Sequence, residues 1–505
     1  MVILTVLGGF FGDEGKGKNI ASIAEMISNK KGEYSNVQSF KSKFSEKEIV
    51  GYGVRSNGGP NGGHALHLNG KKVSGHVIPS TIIYPNFISV VGAGCALHPA
   101  KLVKEIKDFQ NAGFFNGTLL IDDNALIILD AYMVLDGLKS GRTSTGSGIR
   151  FVYGAKAKRT GIIARDLLNR EQLIEKLNIL VPELHSEYYE YLCKKNNLDL
   201  INPNDQVKQE YLKFKEQNSV ENVLEELTKH NEMLKDFISS EIANELKDAV
   251  NYDRIVLNEG SQSYFLGTTS RIEKGSSSII DPAGIFVTQN IPVQKQKLIF
   301  VVKSFGSRVG NAYFVGEFGD RSSSLRKPEV LKHYGFSVDA KYSDYKDKAI
   351  ELMRSSDSQE KGDGFRLFYS EFGETTGFPR GKAPLDLVAL RTLYNNTARG
   401  SINDCELWIN QMDGLELLDE IPLITRYEDL QGNKYKTIPA WGDEKLRTLK
   451  AVIKILPSWN NKIQGEFSSW DKEAQDFIKF IEQETLFKVG GVGNGPDNGA
   501  LIYIK

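Results

Sequence analysis

Cysteine is scarce: Cys95, Cys193 and Cys405 are the only three in 505 residues, far apart and with no CxxC pair. That spacing argues against a disulfide framework and a thiolate zinc site, and it suits a reducing, cytoplasmic setting. Neither sign of charge is in excess. Lys plus Arg number 63 and Asp plus Glu 64, a formal net charge of −1, so no global basic field points to nucleic acid. A basic stripe with interleaved aromatics is missing too. No apolar run approaches about 18 residues, so no segment is expected to span a membrane. The N-terminus has no basic flank before its apolar run and does not read as a signal peptide. With no internal repeat and no dividing linker, 1–505 is expected to form a single domain.

What the chain does have is glycine beside charge. Residues 2–19 read VILTVLGGFFGDEGKGKN. Val2 to Leu7 is a continuous apolar run, as a buried central strand would be. A glycine loop follows, then a helical pattern at Ile20, Ile23, Ala24 and Ile27. Strand, glycine loop and helix make a phosphate site, because backbone N–H groups and the helix N-terminus face the anion. Gly12 to Lys18 fits the Walker pattern except that Asn19 replaces the hydroxyl residue that holds Mg²⁺. Asp13 is positioned to supply a metal oxygen instead.

A second dense motif runs from Val54 to His64, where Asn57-Gly58-Gly59-Pro60-Asn61-Gly62-Gly63 precedes the histidine. Small residues let backbone and imidazole approach a ligand closely. Residues 65–73 predict a β-hairpin turning at Asn69-Gly70. His67 and His76 read as structural. Further on, Phe87–Val91 predicts a strand ended by Gly92-Ala93-Gly94, and Pro99 opens a helix through Phe109. Strands alternating with helices predict an α/β fold. Residues 29–49, polar and Lys-rich, predict an exposed insertion; 167–250 predict a helical insertion with one stripe from Val220 through Ile238 to Ile242. Ile255–Gln262 predicts a strand running into a polar loop, and Leu298–Phe305 another strand.

GDEGKGK resembles the N-terminal signature of adenylosuccinate synthetase, the GTP-dependent ligase family that joins L-aspartate to IMP in purine biosynthesis. The resemblance continues in collinear order over residues 2–501. It implies an α/β fold with a central, mostly parallel sheet flanked by helices and a P-loop-like GTP site. It also implies a Mg²⁺ cofactor and a homodimer. Asp13, Lys16 and His64 fall on catalytic positions, as does Gln262 in a segment resembling FEGAQG. Gly12, Gly15, Gly17 and Lys18 fall on the nucleotide loop. Asp413 matches the guanine-reading carboxylate, and Gly495 and Pro496 match the terminal guanine loop. Asn61, Thr145, Val309, Thr375, Thr376 and Arg380 fall on substrate-binding positions. Arg159 falls on an arginine that reaches the neighbouring subunit's nucleotide. Asp13 and Gly63 fall on the Mg²⁺ positions.

The departures bear on the substrate. Phe378 stands where the family has its first loop arginine, Pro379 and Gly381 replace two further basic residues, Gln411 replaces a lysine and Arg150-Phe151 replaces Gly-Pro. Losing a charged donor near the sugar opens the alternative of a 2′-deoxypurine monophosphate, dIMP or dGMP, as used by the related 2-aminoadenylosuccinate synthetase branch. That branch lacks the loop aspartate, so Asp13 ranks IMP first. A further alternative is a purine-nucleotide-binding protein that no longer ligates. Residues 263–290 match the family poorly and receive no assignment.

Overall fold

The computed structural model describes residues 3–68, 71–139, 146–267, 296–309, 313–320, 325–373, 377–397, 405–439, 443–495, 497 and 500–504. Its frame is a large sheet in which the first strand, Ile3–Gly8, lies between Ile255–Ser263 and Gln296–Lys303, parallel to both. Outward on one side follow Gly51–Gly58, Phe87–Leu97, Thr118–Asp122 and the short Ile238–Ser239. On the other side follow Cys405–Asn410, Lys488–Gly493 and Leu501–Tyr503. Only that last pairing along the path is antiparallel. The expected mostly parallel α/β sheet is present.

Strand periodicity divides the core. Leu4, Val6, Ile299 and Val301 face one apolar cluster, with the helices Lys16–Ser28 and Pro99–Ala112 over it. Ile3, Leu7, Leu298, Phe300 and Val302 face the other, under Ile242–Asn251, Leu387–Thr397 and Lys472–Thr485. Burial on both faces explains why these strands read as unbroken apolar runs.

Several boundaries differ from the sequence reading. The strand from Phe87 continues to Leu97 through its glycines. A Cβ on Gly94 would lie 2.2 Å from the Ser56 carbonyl oxygen, so the glycine permits close strand approach instead of ending the strand. The strand expected over Leu298–Phe305 divides at Ser304, whose N–H bonds to the Asn410 carbonyl at 2.8 Å. Phe305–Arg308 then enters a second, smaller sheet with Gly381–Asp386, Glu420–Glu428, Lys434–Tyr435 and Lys450–Pro457.

Residues 29–49 are more than a loop. Phe40–Ser42 and Ser45–Ile49 pair as a hairpin, Ile49 is fully buried, and the Arg254 guanidinium lies 3.9 Å from the centre of the Phe40 ring. The stripe expected in one helix is split. Leu224, Leu227 and Leu234 share Val220–Leu234, Ile238 pairs with Ile121 in the sheet, and Ile242 starts another helix in the opposite core cluster. The hairpin His64–Leu68/Lys71–Gly75 forms, although its Asn69-Gly70 turn and the His67 side chain lie outside the described residues. No described helix is long and apolar enough to cross a membrane.

Candidate active site

In parallel sheets, ligands bind beyond the carboxyl ends of the strands, where the connections diverge. The segments singled out in the sequence emerge there: the glycine loop after Gly8, Gly59–His64 after Gly58, Gln262 at the end of its strand, Ser304–Val309, Gln411–Asp413, and Asn494 with Gly495.

The loop takes left-handed backbone angles at Gly12 (φ 103°), Asp13 (φ 59°) and Gly15 (φ 91°). Its two adjacent acids separate. Asp13 points outward, its side chain 40 % exposed, and pairs with Arg380 at 2.5 Å. Glu14 points inward and accepts from Gly12 N–H (2.8 Å), Phe10 N–H (3.2 Å), Ser263 Oγ (2.6 Å) and Lys16 Nζ (3.2 Å). Burial opposes its charge, yet Lys16, Ser263 and the Gly12 N–H hold its carboxyl below the usual range. Glu14 thus braces the loop from beneath and steers Lys16. Gly12 meets Val309: a Cβ there would lie 3.0 Å from both valine methyls, and Val309 N–H bonds to the Phe11 carbonyl.

Lys18 reaches the far end of the chain. Its Nζ donates to the Gly495 carbonyl and faces Asp413 and Asp497. Burial pushes Lys18 down to about 8, with the two carboxylates resisting. Burial likewise pushes Asp413 up, and Lys18 opposes it. Asn410 closes this region: its Nδ2 donates to the Glu14 carbonyl at 2.7 Å, and Cβ atoms on Gly15 or Gly493 would strike its amide.

His64 lies against the start of the loop helix. A Cβ on Gly17 would be 2.7 Å from His64 Cβ, and one on Gly75 would be 2.5 Å from Nε2. Arg55 Nη1 stands 3.3 Å from His64 Nδ1 and 2.9 Å from Glu259 Oε1. Arginine only donates, so Nδ1 accepts and the ring proton is assigned to Nε2. That Nε2 is buried and has no hydrogen-bond partner among the described residues. Burial pushes the imidazole down to about 4, with Glu259 resisting and Arg55 and His76 assisting. His76 is tied structurally, its Nδ1 2.5 Å from the Gly62 carbonyl. Asn61 and Gly63 are exposed on the same turn, with open space at Gly63.

Ahead of Arg380, Gly373 N–H bonds to the Phe378 carbonyl and Phe372 bridges Pro379. Phe378 is 56 % exposed, with the Arg326 guanidinium 4.9 Å from its ring centre. Thr145, Thr375, Thr376 and Pro496 lie outside the described residues. Arg159 caps the end of Ile149–Lys158 in a left-handed conformation, is exposed, and joins none of these clusters among the described residues. Gln262 is half-buried between Ser261 and Ser263, whose hydroxyls bond to Asn57 and Glu14.

A family model described as adenylosuccinate synthetase matches residues 45–502. The chain belongs to the adenylosuccinate synthetase family. Adenylosuccinate synthetases of Buchnera aphidicola and Ligilactobacillus salivarius are each 28 % identical to it. The first alignment covers 99 % of this chain and 98 % of the relative, the second 98 % and 97 %. The fold is shared with the fully ligated adenylosuccinate synthetase of Plasmodium falciparum, at a TM-score of 0.72, 23 % identity and full coverage of both chains. It is shared more distantly with a cyanophage S-2L succinoaminodeoxyadenylate synthetase bound to dGMP and dATP. There the TM-score is 0.51 and the identity 11 %, covering 99 % of this chain and 95 % of that one. The reaction of the adenylosuccinate synthetase family is the GTP-dependent joining of L-aspartate to IMP, and this chain is a ligase of that kind.

Glu14, Arg55, Glu259 and Asn410 were not found from the sequence. Glu14 was the most accessible of them, since two adjacent acids in a tight loop cannot both face one ligand. Among the described residues no cluster of three or more His, Cys, Asp or Glu side chains could hold a metal. The partly exposed Asp13 carboxylate is an oxygen donor of the kind that suits Mg²⁺ carried largely by nucleotide phosphates, and the Gly63 backbone is exposed.

Proposed function

We propose that the loop, the histidine turn and the arginine hairpin form one centre for phosphoryl transfer to O6 of IMP, followed by displacement by L-aspartate. Asp13 takes the N1 proton so that charge builds on O6. Lys16 and the loop N–H groups cradle the GTP phosphates, and neutral His64 donates to the moving γ-phosphoryl. Phosphorylated O6 is then a competent leaving group for attack by the aspartate amine at C6. Arg380 binds an aspartate carboxylate in a bidentate fork, and Thr375 and Thr376 are further contacts to that substrate. Asp413 accepts from guanine N1–H and N2–H₂, with Lys18, Gly495 and Pro496 around it. Asn61, Thr145 and Val309 contact the monophosphate, and Gln262 orients the nucleotides. Asp13 and Gly63 would hold Mg²⁺, which would supply charge neutralisation at the phosphates. Arg159 reaches the site of a second subunit in a homodimer.

The observation that carries this reading is the Asp13–Arg380 ion pair at 2.5 Å. It supports a base and a carboxylate receptor working on one bound purine, with the incoming aspartate taking Arg380 over from Asp13. The single-domain reading of 1–505, with insertions at 29–49 and 167–250, belongs to the same proposal. So does a cytoplasmic location, which three cysteines outside any disulfide favour.

The test is purified protein with Mg²⁺, GTP and L-aspartate, and IMP, dIMP, GMP or dGMP in parallel, read by mass spectrometry. Succinylated IMP is the expected product. Preference for dIMP or dGMP would move the assignment to a deoxypurine substrate. Absence of product in every arm would overturn the ligase reading of this centre.

A further inference from the structure

Glu371 is 4 % exposed and has no part in the scheme above, yet one of its oxygens collects three donors. Oε1 accepts from Lys303 Nζ (2.8 Å), Gln411 Nε2 (2.8 Å) and Lys382 Nζ (3.3 Å), and Oε2 accepts from Ser307 Oγ (3.1 Å). The donors come from both sheets. Lys303 ends one strand of the large sheet and Gln411 follows another. Ser307 and Lys382 face each other across the small sheet. Two buried lysines against one carboxylate form a strongly polarised cluster, and such a group moves only if its partners move with it.

Each end of this cluster is tied to a proposed ligand contact. Gln411 sits in a left-handed conformation (φ 59°), and its carbonyl accepts from Ser304 Oγ and from Tyr369 Oη at 3.2 Å. The same Tyr369 hydroxyl lies 2.5 Å from the Asp413 carbonyl, so the turn that carries Asp413 is clamped at two carbonyls. On the other side the Glu371 carbonyl accepts the Arg380 N–H at 2.9 Å, and Arg366 returns Nε to the Arg380 carbonyl at 2.9 Å. One departure from the family pattern has a counterpart here. Gln411 stands where a lysine is usual, and Lys382 brings an ammonium from the small sheet to 3.4 Å from Gln411 Oε1. The amide is left to donate to Glu371.

We infer that Glu371 is a positioning residue that couples the turn bearing Asp413 to the strand bearing Arg380. One buried carboxylate then sets both the seat of the GTP base and the capture of the L-aspartate carboxylate. This rests on the ligand assignments proposed above.

The test compares wild type, Glu371→Gln, Glu371→Asp and Gln411→Leu for KM of GTP, L-aspartate and IMP, for GDP affinity by calorimetry, and for melting temperature. In Glu371→Gln the KM values for GTP and L-aspartate are both expected to rise about tenfold, the scale of lost support behind a ligand contact, with KM for IMP little changed. Glu371→Asp keeps the charge and is expected to recover part of both losses. Gln411→Leu is expected to raise the aspartate KM although it lies beside the base-reading turn, and it serves as the decisive variant if Glu371→Gln does not fold. A lower melting temperature with both KM values unchanged would overturn the proposal, as would a rise for GTP alone in Gln411→Leu. If wild type yields no succinylated product, the ligase reading fails separately. The GDP titration then decides the coupling: unchanged GDP affinity in folded Glu371→Gln overturns it.

Discussion

At the scale of the residue, burial matters as much as residue type. His64 is held neutral with its pKa at about 4, below the ordinary 6.5. The sign follows from linkage: a depressed folded value means the unfolded chain binds the proton first as pH falls. Its contribution is present above pH 6.5 and is lost as pH falls toward 4. Urea unfolding at pH 7.5 and pH 4.5 should therefore show wild type losing about 2 kcal/mol more than His64→Gln. Equal losses would mean that the ring titrates normally. Arg380 makes a second prediction. Arg380→Met should raise KM for L-aspartate about 10- to 100-fold while KM for GTP stays near wild type, because a charged two-point contact to one ligand is lost. These two residues were recognisable as candidates in the sequence because each sits in a dense local motif. Glu14, Arg55, Glu259 and Glu371 were not. Glu14 meets Ser263, Arg55 meets Glu259 and Glu371 meets Lys303 only across the fold, and only the folded sheets show that their charges are enclosed and matched.

At the scale of the element, glycines and strand ends decide what can approach what. Most strands and helices near the site were legible from apolar runs and from glycine or proline punctuation. The errors arose where packing overrode that punctuation. Gly94 sits inside a strand because the neighbouring backbone comes too close for a side chain. Ser304 breaks a strand because its N–H and hydroxyl are taken by the 410–411 backbone. A helical stripe also cannot register a sharp change of direction, so apolar spacing alone places Ile238 and Ile242 on one face with Leu224. Gly75, in the strand paired with His64, offers a test. Gly75→Ala would drive a methyl into the space kept for Nε2, 2.5 Å away. Its kcat should fall about 10- to 100-fold with KM for GTP unchanged, since the nucleotide loop is untouched. Gly113 is the control. It caps a helix at φ 76° with nothing within 4 Å of an added Cβ, so Gly113→Ala should lower stability by about 1 kcal/mol and leave kcat alone. If both variants lose kcat equally, the effect at Gly75 is general destabilisation and says nothing of His64.

At the scale of the whole molecule, the centre gathered within one chain lacks Arg159. This arginine is exposed at the end of Ile149–Lys158, with Lys156 and Lys158 in the turn before it. An exposed cationic helix end is ordinarily a solvated surface, and holding a long side chain there gains little by itself. It becomes useful if a twofold partner presents its nucleotide to it, since a symmetric interface repeats the contact at both sites. Subunit complementation separates these possibilities. Arg159→Leu and His64→Asn homodimers should each be nearly inactive, one lacking the donated cation at both sites and the other lacking the imidazole at both. In a hybrid purified through two different tags after co-expression, one site receives both defects and the other receives native His64 with native Arg159 from across the interface. Such a hybrid should recover about half of the wild-type activity per dimer. Light scattering must show the hybrid as a dimer for the comparison to hold. A dimeric hybrid with no recovered activity would mean that Arg159 serves its own chain's site. A fully active Arg159→Leu homodimer would mean that it serves neither.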